Sequence, residues 1–207
     1  MNRPWLALVL YGIYLALAFG WRSLRQLRAT GSAGFRGISG PPGSLPWLGG
    51  VLFVIALVLG ALAPVAELAA WIGPLADPGS PLVGLGAAMT ISGTLGTLWS
   101  QGAMGASWRI GVREAERTGL VTGGPFAVVR NPVFSFMMLA ALGLLLILPN
   151  AAALASLVAL VIAIELQVRL VEEPYLLRTH GGAYAAYCAK VGRFVPGIGR
   201  GSSPPVD

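Results

Sequence analysis

The sequence predicts an all-α polytopic membrane protein with about five transmembrane helices. Hydrophobic residues make up 56% of the chain and charged residues only 11%, whereas about a quarter of the residues of a soluble domain are charged. The mean hydropathy is +0.75. A water-soluble core of a 207-residue chain cannot bury this much apolar surface. The chain is therefore better divided into apolar spans of about 20 residues each.

Five apolar runs have the composition of membrane-crossing helices, and most approach the length needed to cross the hydrocarbon. They are Trp5 to Gly20, Trp47 to Val65, Pro81 to Trp99, Val133 to Leu148 and Ala151 to Leu166. Only the turn-forming pair Pro149 and Asn150 separates the last two runs, which predicts a helical hairpin. The first run could instead be a signal peptide, because Ala16-Leu17-Ala18 resembles a cleavage site. The arginines that follow at once are more typical of a membrane anchor.

The basic residues orient the chain in the membrane. They follow the first run, separate the third run from the fourth, and follow the fifth, whereas the loop between the second and third runs carries Glu67 and Asp77 and no basic residue. Because basic residues collect on the cytoplasmic side, we expect the N-terminus outside and the C-terminus in the cytoplasm. The residues concerned are Arg22, Arg25, Arg28, Arg36, Arg109, Arg113, Arg117, Arg130, Arg169, Arg178, Lys190, Arg193 and Arg200.

The net charge of +6 comes from these scattered residues and not from a dense basic face. This argues against a nucleic-acid-binding protein and makes anionic membrane lipids the expected partners. Cys188 is the only cysteine, so the chain can form neither an internal disulfide nor a CxxC metal or redox motif, and we expect no metal site.

Three segments follow from these patterns. Residues 1–100 hold the first three spans and a basic, glycine-rich loop at 21–46, residues 101–199 hold the last two spans and amphipathic C-terminal helices, and residues 200–207 form a disordered tail. The loop is expected to lie irregularly on the headgroups. Residues 169–195 are expected to form two short helices against the membrane, the first opened by Pro174. The glycines of the third span indicate either close helix packing, which is the commoner use, or the wall of a pocket; they are Gly84, Gly86, Gly93 and Gly96.

Four stretches at the cytoplasmic ends of the spans stand out from the apolar background, at 108–112, 120–126, 129–134 and 165–196. A first signature contains Leu120-Val121-Thr122, Gly124-Pro125-Phe126 and Arg130-Asn131-Pro132-Val133-Phe134. A second contains Arg169, Glu172-Glu173, Tyr184, Tyr187 and Val191 to Pro196. In this order, over about residues 95–199, the two signatures resemble those of the isoprenylcysteine carboxyl methyltransferases and the related phospholipid methyltransferases, which are membrane enzymes that use S-adenosylmethionine.

The resemblance implies a cytoplasmic S-adenosylmethionine pocket formed by the C-terminal half. The cofactor-binding residues that it implies are Gly124, Pro125, Phe126, Val129, Arg130, Asn131, Pro132, Phe134, Glu172, Glu173, Tyr184 and Tyr187. The chain departs from the family pattern at four positions: Phe126 and Phe134 replace tyrosines, Ala127 replaces a basic residue, and Asn131 replaces the histidine that contacts the cofactor. Asn131 can donate and accept hydrogen bonds but cannot titrate.

The residues of the first signature also have a direct physical interpretation. Gly123-Gly124-Pro125 permits a close backbone approach to a ligand. Pro132 at the first position of a helix leaves nearby N–H groups free for an anion, either the carboxylate of the cofactor or a phosphate. The other interpretation is that Pro132 only starts the fourth span and that Arg130 extends to the headgroups.

The second signature contributes charged and aromatic residues. Glu165 and Arg169 are four apart and can pair near the end of the fifth span, where ionisable groups are costly. Since the resemblance implies that such residues hold the acceptor, we assign this pair the catalytic role. Glu172 and Glu173 point about 100° apart on a helix, so one could bind the cofactor while the other faces a basic partner such as Arg130. The tyrosines at 184 and 187 either cover the cofactor or anchor an interfacial helix.

These observations predict direct methyl transfer from S-adenosylmethionine to a carboxylate or amine of a lipophilic, amphiphilic or lipidated acceptor that enters from the bilayer. One alternative is an NADPH-dependent membrane reductase of similar architecture, with Tyr184 or Tyr187 as proton donor. Another is a small non-enzymatic transporter or assembly protein. The Arg130-Asn131-Pro132 motif fits the methyltransferases better than the reductases, and only the fifth span carries a charge near its middle or end, which argues against a transporter.

Overall fold

The structure, a computed structural model, is all-helical in the residues it describes, which are 2–34, 37–105 and 119–201. No β-strand occurs in these ranges, and the predicted fold class is confirmed. Arg36, Arg109, Arg113, Arg117, the 108–112 stretch and most of the predicted tail lie outside them. The α-helices are α1 (Arg3–Leu15), α2 (Arg22–Thr30), α3 (Leu45–Leu68), α4 (Gly79–Met104), α5 (Pro132–Ile147), α6 (Ala151–Gln167), α7 (Glu173–His180) and α8 (Gly182–Lys190).

Each of the five predicted apolar runs corresponds to a helix. In the described residues, four helices are long and apolar enough to cross a membrane: Arg3–Thr30, Leu45–Leu68, Gly79–Met104 and Ala151–His180. The fourth run forms α5, which has 16 residues and a length of about 24 Å at 1.5 Å per residue. This helix is shorter than the hydrocarbon thickness of about 30 Å. The polytopic arrangement therefore consists of four candidate spans and one short apolar helix.

The basic segment after the first run begins as a helix, and our expectation of a loop from residue 21 is wrong in this part. The π-helical turn Ala16–Trp21 joins α1 to α2 without a break. Arginine, leucine and glutamine favour the helix over residues 22–30. The helix ends at Gly31, whose φ of 73° lies in the left-handed region that favours glycine. The irregular, glycine-rich part is therefore confined to the stretch between Gly31 and α3.

The C-terminal residues contain the two expected short helices, α7 and α8, and Pro174 lies in the first turn of α7. Their position against the membrane stays a prediction. The helix α7 is not separated from α6, because only the π-helical turn Val168–Glu172 lies between them, with the Glu173 N–H bonded to the Val168 carbonyl. The chain breaks only at Gly181, with φ of 52°, and α8 follows.

Three glycines of α4 lie in close contact with α5. A methyl group added to Gly86, Gly93 or Gly96 would lie only 2.3 to 2.6 Å from atoms of α5, whereas one added to Gly84 would meet nothing within 4 Å. The packing interpretation is therefore confirmed for three of the four glycines. In lipid, such close backbone approach supplies van der Waals contact that larger side chains would prevent.

The hairpin predicted at Pro149 and Asn150 is present, and it is fixed to α3. The Asn150 side chain is fully buried. Its Oδ1 accepts from the Ala153 N–H at 2.9 Å, which caps α6, and its Nδ2 donates to the Ala63 carbonyl at 3.1 Å and to Glu67 Oε2 at 3.0 Å. The end of the helices that carries this turn is thus closed by buried hydrogen bonds.

The contact between α4 and α5 can be tested with two alanine substitutions on the same helix. We expect Gly93→Ala to lower the free energy of unfolding by about 1–3 kcal/mol, because the new methyl group would meet backbone atoms of α5 that cannot rotate away. Gly84→Ala is the control and is expected to leave stability unchanged. Thermal unfolding in detergent, followed by tryptophan fluorescence, measures both. Equal midpoints for the two variants would contradict the assigned packing.

Candidate functional site

A cavity of about 300 Å³ lies between the membrane helices and the C-terminal segment, a volume at the lower end of the range for small-molecule sites. Its wall is of two kinds. Apolar side chains come from the candidate spans and α5, among them Phe19, Phe53, Val54, Phe134 and Met137. Polar side chains come from α4, α6, the two signatures and the turn before α7, among them Gln101, Asn131, Gln167, Glu172, Tyr184 and Tyr187.

Backbone pairing brings the two signatures together beside this cavity. The Arg130 N–H donates to the Gly192 carbonyl at 2.8 Å, and the Asn131 N–H donates to the Arg193 carbonyl at 3.1 Å. Val129 and Gly192 form an isolated parallel β-bridge. The segment that precedes α5 is therefore bound directly to the segment that follows α8, as two ordered signatures of one site require.

Arg130 is buried, with 2% of its side chain exposed, and it holds the C-terminal segment in place. Its Nη1 donates to the carbonyls of Val191 at 2.5 Å and Cys188 at 3.2 Å. Its Nη2 donates to Glu173 Oε1 at 2.8 Å and to the Gly199 carbonyl at 3.1 Å. The interpretation in which Arg130 extends to the headgroups is therefore wrong, because its terminal nitrogens are bonded inside the protein.

Glu173 joins two arginines, and we call Arg130, Glu173 and Arg193 the arginine clasp. Arg193 donates from Nε to Oε1 and from Nη2 to Oε2 of Glu173, both at 2.8 Å. This two-pronged pairing is among the stronger kinds of charge-assisted hydrogen bond. The hydrogen bonds with Glu173 raise the pKa of Arg193, so its charge is permanent. The expectation that one of the two neighbouring glutamates faces Arg130 is confirmed.

Glu172 does not belong to the arginine clasp, and its side chain lines the cavity. Its Oε1 accepts from Gln167 Nε2 at 3.4 Å, and Gln167 also lines the cavity. The two consecutive carboxylates thus contact different groups, as their angular separation on a helix predicts. Glu173 belongs to the arginine clasp, and Glu172 presents an acidic group at the polar wall.

Tyr184 and Tyr187 both line the cavity, with ring centroids 6.2 Å apart. The Tyr187 hydroxyl donates to the Phe126 carbonyl at 2.5 Å, a further link between the two signatures. Burial raises the pKa of Tyr187 to about 12, so the phenol stays protonated at neutral pH and keeps this bond. Tyr184 is buried. Both rings therefore belong to the cavity wall and not to an exposed interfacial surface.

The predicted cofactor residues divide into two groups. Seven line the cavity: Phe126, Arg130, Asn131, Phe134, Glu172, Tyr184 and Tyr187. The other five are not among the described lining residues, namely Gly124, Pro125, Val129, Pro132 and Glu173. Of these, Gly124 has a left-handed φ of 59° that favours glycine, and Pro132 is the first residue of α5, as predicted. Cofactor binding by these residues stays a prediction.

The predicted catalytic pair is formed, but it does not touch the cavity. Arg169 Nε and Glu165 Oε2 are bonded across one helical turn. Their side chains are 55% and 39% exposed, and neither lines the cavity. The pairing that the spacing predicted is thus present, whereas its part in chemistry stays a prediction.

Sequence reasoning missed Gln101 and the segment 37–39, all of which line the cavity. Gln101 is 2% exposed and donates from Nε2 to the Ala18 carbonyl at 3.0 Å. Because a carbonyl can only accept, this bond fixes the amide so that Oε1 is the acceptor, and Oε1 has no hydrogen-bond partner among residues 2–34, 37–105 and 119–201. The sequence offered one sign of this residue, because Gln101 is a single polar side chain at the end of a glycine-rich apolar run. The carbonyl that binds its amide belongs to Ala18, which lies 83 residues away in the chain.

The arginine clasp can be tested at Arg130. We expect Arg130→Met to lower the free energy of unfolding by about 3–5 kcal/mol, since it leaves Glu173 charged and partly buried with one partner fewer. Arg200→Met removes an exposed arginine of the same segment and serves as control. Thermal unfolding in detergent measures stability, and limited proteolysis measures release of residues 191–201. If the two variants unfold and are cleaved alike, Arg130 does not hold this segment.

Comparison with known proteins agrees with the site. No curated protein matches the chain. The family model described as phospholipid methyltransferase matches residues 82–183, from α4 to the first residues of α8. This range includes Gln101, Arg130 and the Glu172-Glu173 pair, while Tyr184, Tyr187 and the closing part of the second signature lie beyond it. The match gives no support to a reductase or a transporter. Residues 82–183 are thus similar to the phospholipid methyltransferases, which confirms the resemblance to that family.

Proposed function

We propose that this protein is a membrane methyltransferase that uses S-adenosylmethionine to methylate a carboxylate or amine on a lipophilic or amphiphilic acceptor. One observation carries the proposal. A single cavity combines the polar residues of both signatures with apolar side chains of the membrane helices. A polar, charged cofactor and a lipophilic acceptor need these two kinds of wall side by side, because methyl transfer requires the two to be held in contact.

The polar wall suits the groups of S-adenosylmethionine, which has an ammonium group, a carboxylate and an adenine ring. Glu172 and the free Oε1 of Gln101 are hydrogen-bond acceptors for its N–H groups. A buried acceptor without a partner costs about 1–3 kcal/mol, which a ligand donor would offset. Asn131 lies at the start of α5, where the first N–H groups of the helix favour a carboxylate. These residues fit the cofactor without a metal.

The cofactor supplies an activated methyl group when it is bound. The chain supplies alignment and exclusion of water, since a methyl transfer needs the nucleophile and the methyl carbon in line more than it needs proton transfer. The terminal nitrogens of Arg130 bond to the C-terminal segment, so we propose that Arg130 positions the polar wall of the cavity and does not contact the cofactor with these nitrogens. The tyrosines at 184 and 187 narrow the polar side of the cavity.

The apolar wall suits an acceptor that arrives from the bilayer. Phe19, Phe53 and Val54 belong to candidate spans and line the cavity. The same end of the molecule carries the basic residues of α2, whose Arg22 donates to carbonyls of Gln101 and Gly105 at the end of α4. Under the positive-inside rule, this end faces the cytoplasm, where a soluble charged cofactor is available. We therefore propose an outside N-terminus, a cytoplasmic C-terminus and residence in the cytoplasmic membrane.

Ligand-dependent stabilisation tests the cofactor. We expect S-adenosylmethionine and S-adenosylhomocysteine to raise the midpoint of thermal unfolding and NADPH to leave it unchanged. A ligand at a hundred times its Kd stabilises the native state by about 2.7 kcal/mol. Gln101→Leu is expected to reduce the ligand-induced shift, while Leu95→Ala, at an exposed position of the same helix, keeps it in full. Stabilisation by NADPH alone would overturn the proposal in favour of a reductase.

The acceptor class is tested by incubating membranes that contain the protein with cofactor labelled in its methyl group, followed by lipid extraction. Label released by mild base identifies a methyl ester and thus a carboxylate acceptor, whereas base-stable label excludes a methyl ester and is expected for a methylated amine. A Glu172→Gln variant removes one charge from the polar wall with little change in volume, and it is expected to incorporate less label than the parent protein. Absence of labelled lipid with the parent protein would count against a lipophilic acceptor.

The proposed role of the Glu165–Arg169 pair is tested separately. We expect Arg169→Ala to lower methyl transfer about a hundredfold, the loss that a small misplacement of the reacting group can cause, while stabilisation by S-adenosylhomocysteine is unchanged. Lys190→Ala, at an exposed position of α8, is the control. Transfer at the parental rate in Arg169→Ala would remove the pair from the mechanism. The remaining candidate would then be Glu172, which is the one carboxylate among the described residues that line the cavity.

A further inference from the structure

Residues 37–39, which lie between α2 and α3, form part of the cavity wall, although they belong to neither signature and precede the region that the family model matches. Gly37, Ile38 and Ser39 line the cavity together with Gly49 and Gly50 of α3. Residues that composition alone assigned to an irregular loop on the headgroups therefore meet the proposed ligands.

Ile38 is seated on a glycine. A methyl group at Gly50 would lie 2.4 Å from Ile38 Cγ2 and 3.1 Å from Cγ1, closer than atoms can pack. The absence of a side chain at Gly50 therefore creates the space that Ile38 occupies. Ile38 is still 42% exposed. One side of this single side chain lines the cavity while the rest faces the surroundings, so the wall is one residue thick here.

A turn that follows Ile38 is fixed to the start of α3. The Ser44 hydroxyl donates to the Pro41 carbonyl at 2.7 Å, and Ser44 Oγ accepts from the Trp47 N–H at 3.3 Å. Gly40 has φ of 83°, and a methyl group there would lie 2.7 Å from Ser44 Oγ. The segment therefore has an anchored base close to Ile38, and the position of Ile38 is set by α3.

This part of the cavity reaches the exposed surface of α3, which is one of the candidate spans. Val54 lies one helical turn beyond Gly50 on α3, lines the cavity and is 51% exposed. Phe53 lines it as well. These side chains are apolar, so a hydrocarbon chain passing between them and Ile38 would leave no polar group unsatisfied.

We propose that Ile38, seated on Gly50, sets the width of the entrance through which the apolar part of the acceptor reaches the cavity, and so selects acceptors by their bulk. This rests on the proposed function, because it presupposes a lipophilic acceptor. A single apolar side chain commonly changes selection between substrates by about 10- to 200-fold, so Ile38 is large enough to determine specificity.

Two substitutions should widen the entrance by different means. Ile38→Ala removes the side chain, and Gly50→Ala fills its seat and displaces it. Ile55→Ala is the control. Ile55 lies on α3, like Gly50, and it is 42% exposed, like Ile38, but it does not line the cavity. The probes are dodecylamine and dodecanoic acid as slim acceptors, and 3-aminocholestane and cholesteryl hemisuccinate as wide ones. We expect the wide-to-slim ratio of kcat/KM to rise at least about tenfold in both variants and to stay parental in the control. An unchanged ratio in Ile38→Ala would overturn the proposal.

A binding experiment keeps the entrance testable if the parent methylates none of these probes. In a Cys188→Ala background, Ile38→Cys and Ile55→Cys are labelled with bimane and titrated in nanodiscs with stearate that carries a nitroxide at carbon 12. Saturable quenching at position 38, with only linear quenching at 55, supports the entrance, and linear quenching at both positions overturns it. Stabilisation by S-adenosylhomocysteine is measured in parallel, so failure of the cofactor site is distinguished from failure of the entrance.

Discussion

The buried ion pair between Arg130 and Glu173 is the interaction on which the site depends. A guanidinium enclosed by protein must find partners for its N–H groups, and here they are carbonyls that follow α8 and a carboxylate at the start of α7. One side chain therefore decides where three stretches of chain meet. The Arg130 N–H bond to the Gly192 carbonyl and the Tyr187 hydrogen bond to the Phe126 carbonyl join the same stretches of chain. They strengthen the arrangement that the buried ion pair sets.

The helix α4 divides the molecule into a packed part and a part that encloses a cavity. Gly86 and Gly93 allow α5 to approach at backbone distance, and Gly96 leaves room for the Phe136 ring. Beyond them, Gln101 and Met104 line the cavity. The change from close contact to open space follows from side-chain size along one helix, and Asn150 closes the helices at the other end with buried hydrogen bonds. The helices are fixed by hydrogen bonds at the end that carries Asn150, and they enclose the cavity at the end that carries Gln101. This arrangement suits a protein that binds a ligand from the lipid bilayer.

Local sequence patterns predicted most of the fold, and they failed where distant residues decide the structure. Hydropathy located all five apolar helices, and motif order predicted that residues 120–134 and 169–196 share a site. Composition misjudged residues 22–30, because the glycines and prolines on which the loop was predicted all lie after residue 30, whereas arginine, leucine and glutamine favour helix. It missed Ile38, whose place depends on the absence of a side chain at Gly50. It also missed Gln101, because the Ala18 carbonyl that fixes its amide belongs to another helix.

The π-helical turn Val168–Glu172 has an implication for how this protein can change over evolution. The turn holds one residue more than the same stretch of regular α-helix, so it takes up an extra residue while α7 continues α6. Deleting one residue inside the turn would restore a regular helix and leave Glu173 close to its present direction. The same deletion inside regular α6 would rotate everything after it by about 100° around the helix axis and would take Glu173 out of the arginine clasp. The turn is therefore the place in this helix where the chain can change its length by one residue with the least effect on the C-terminal segment.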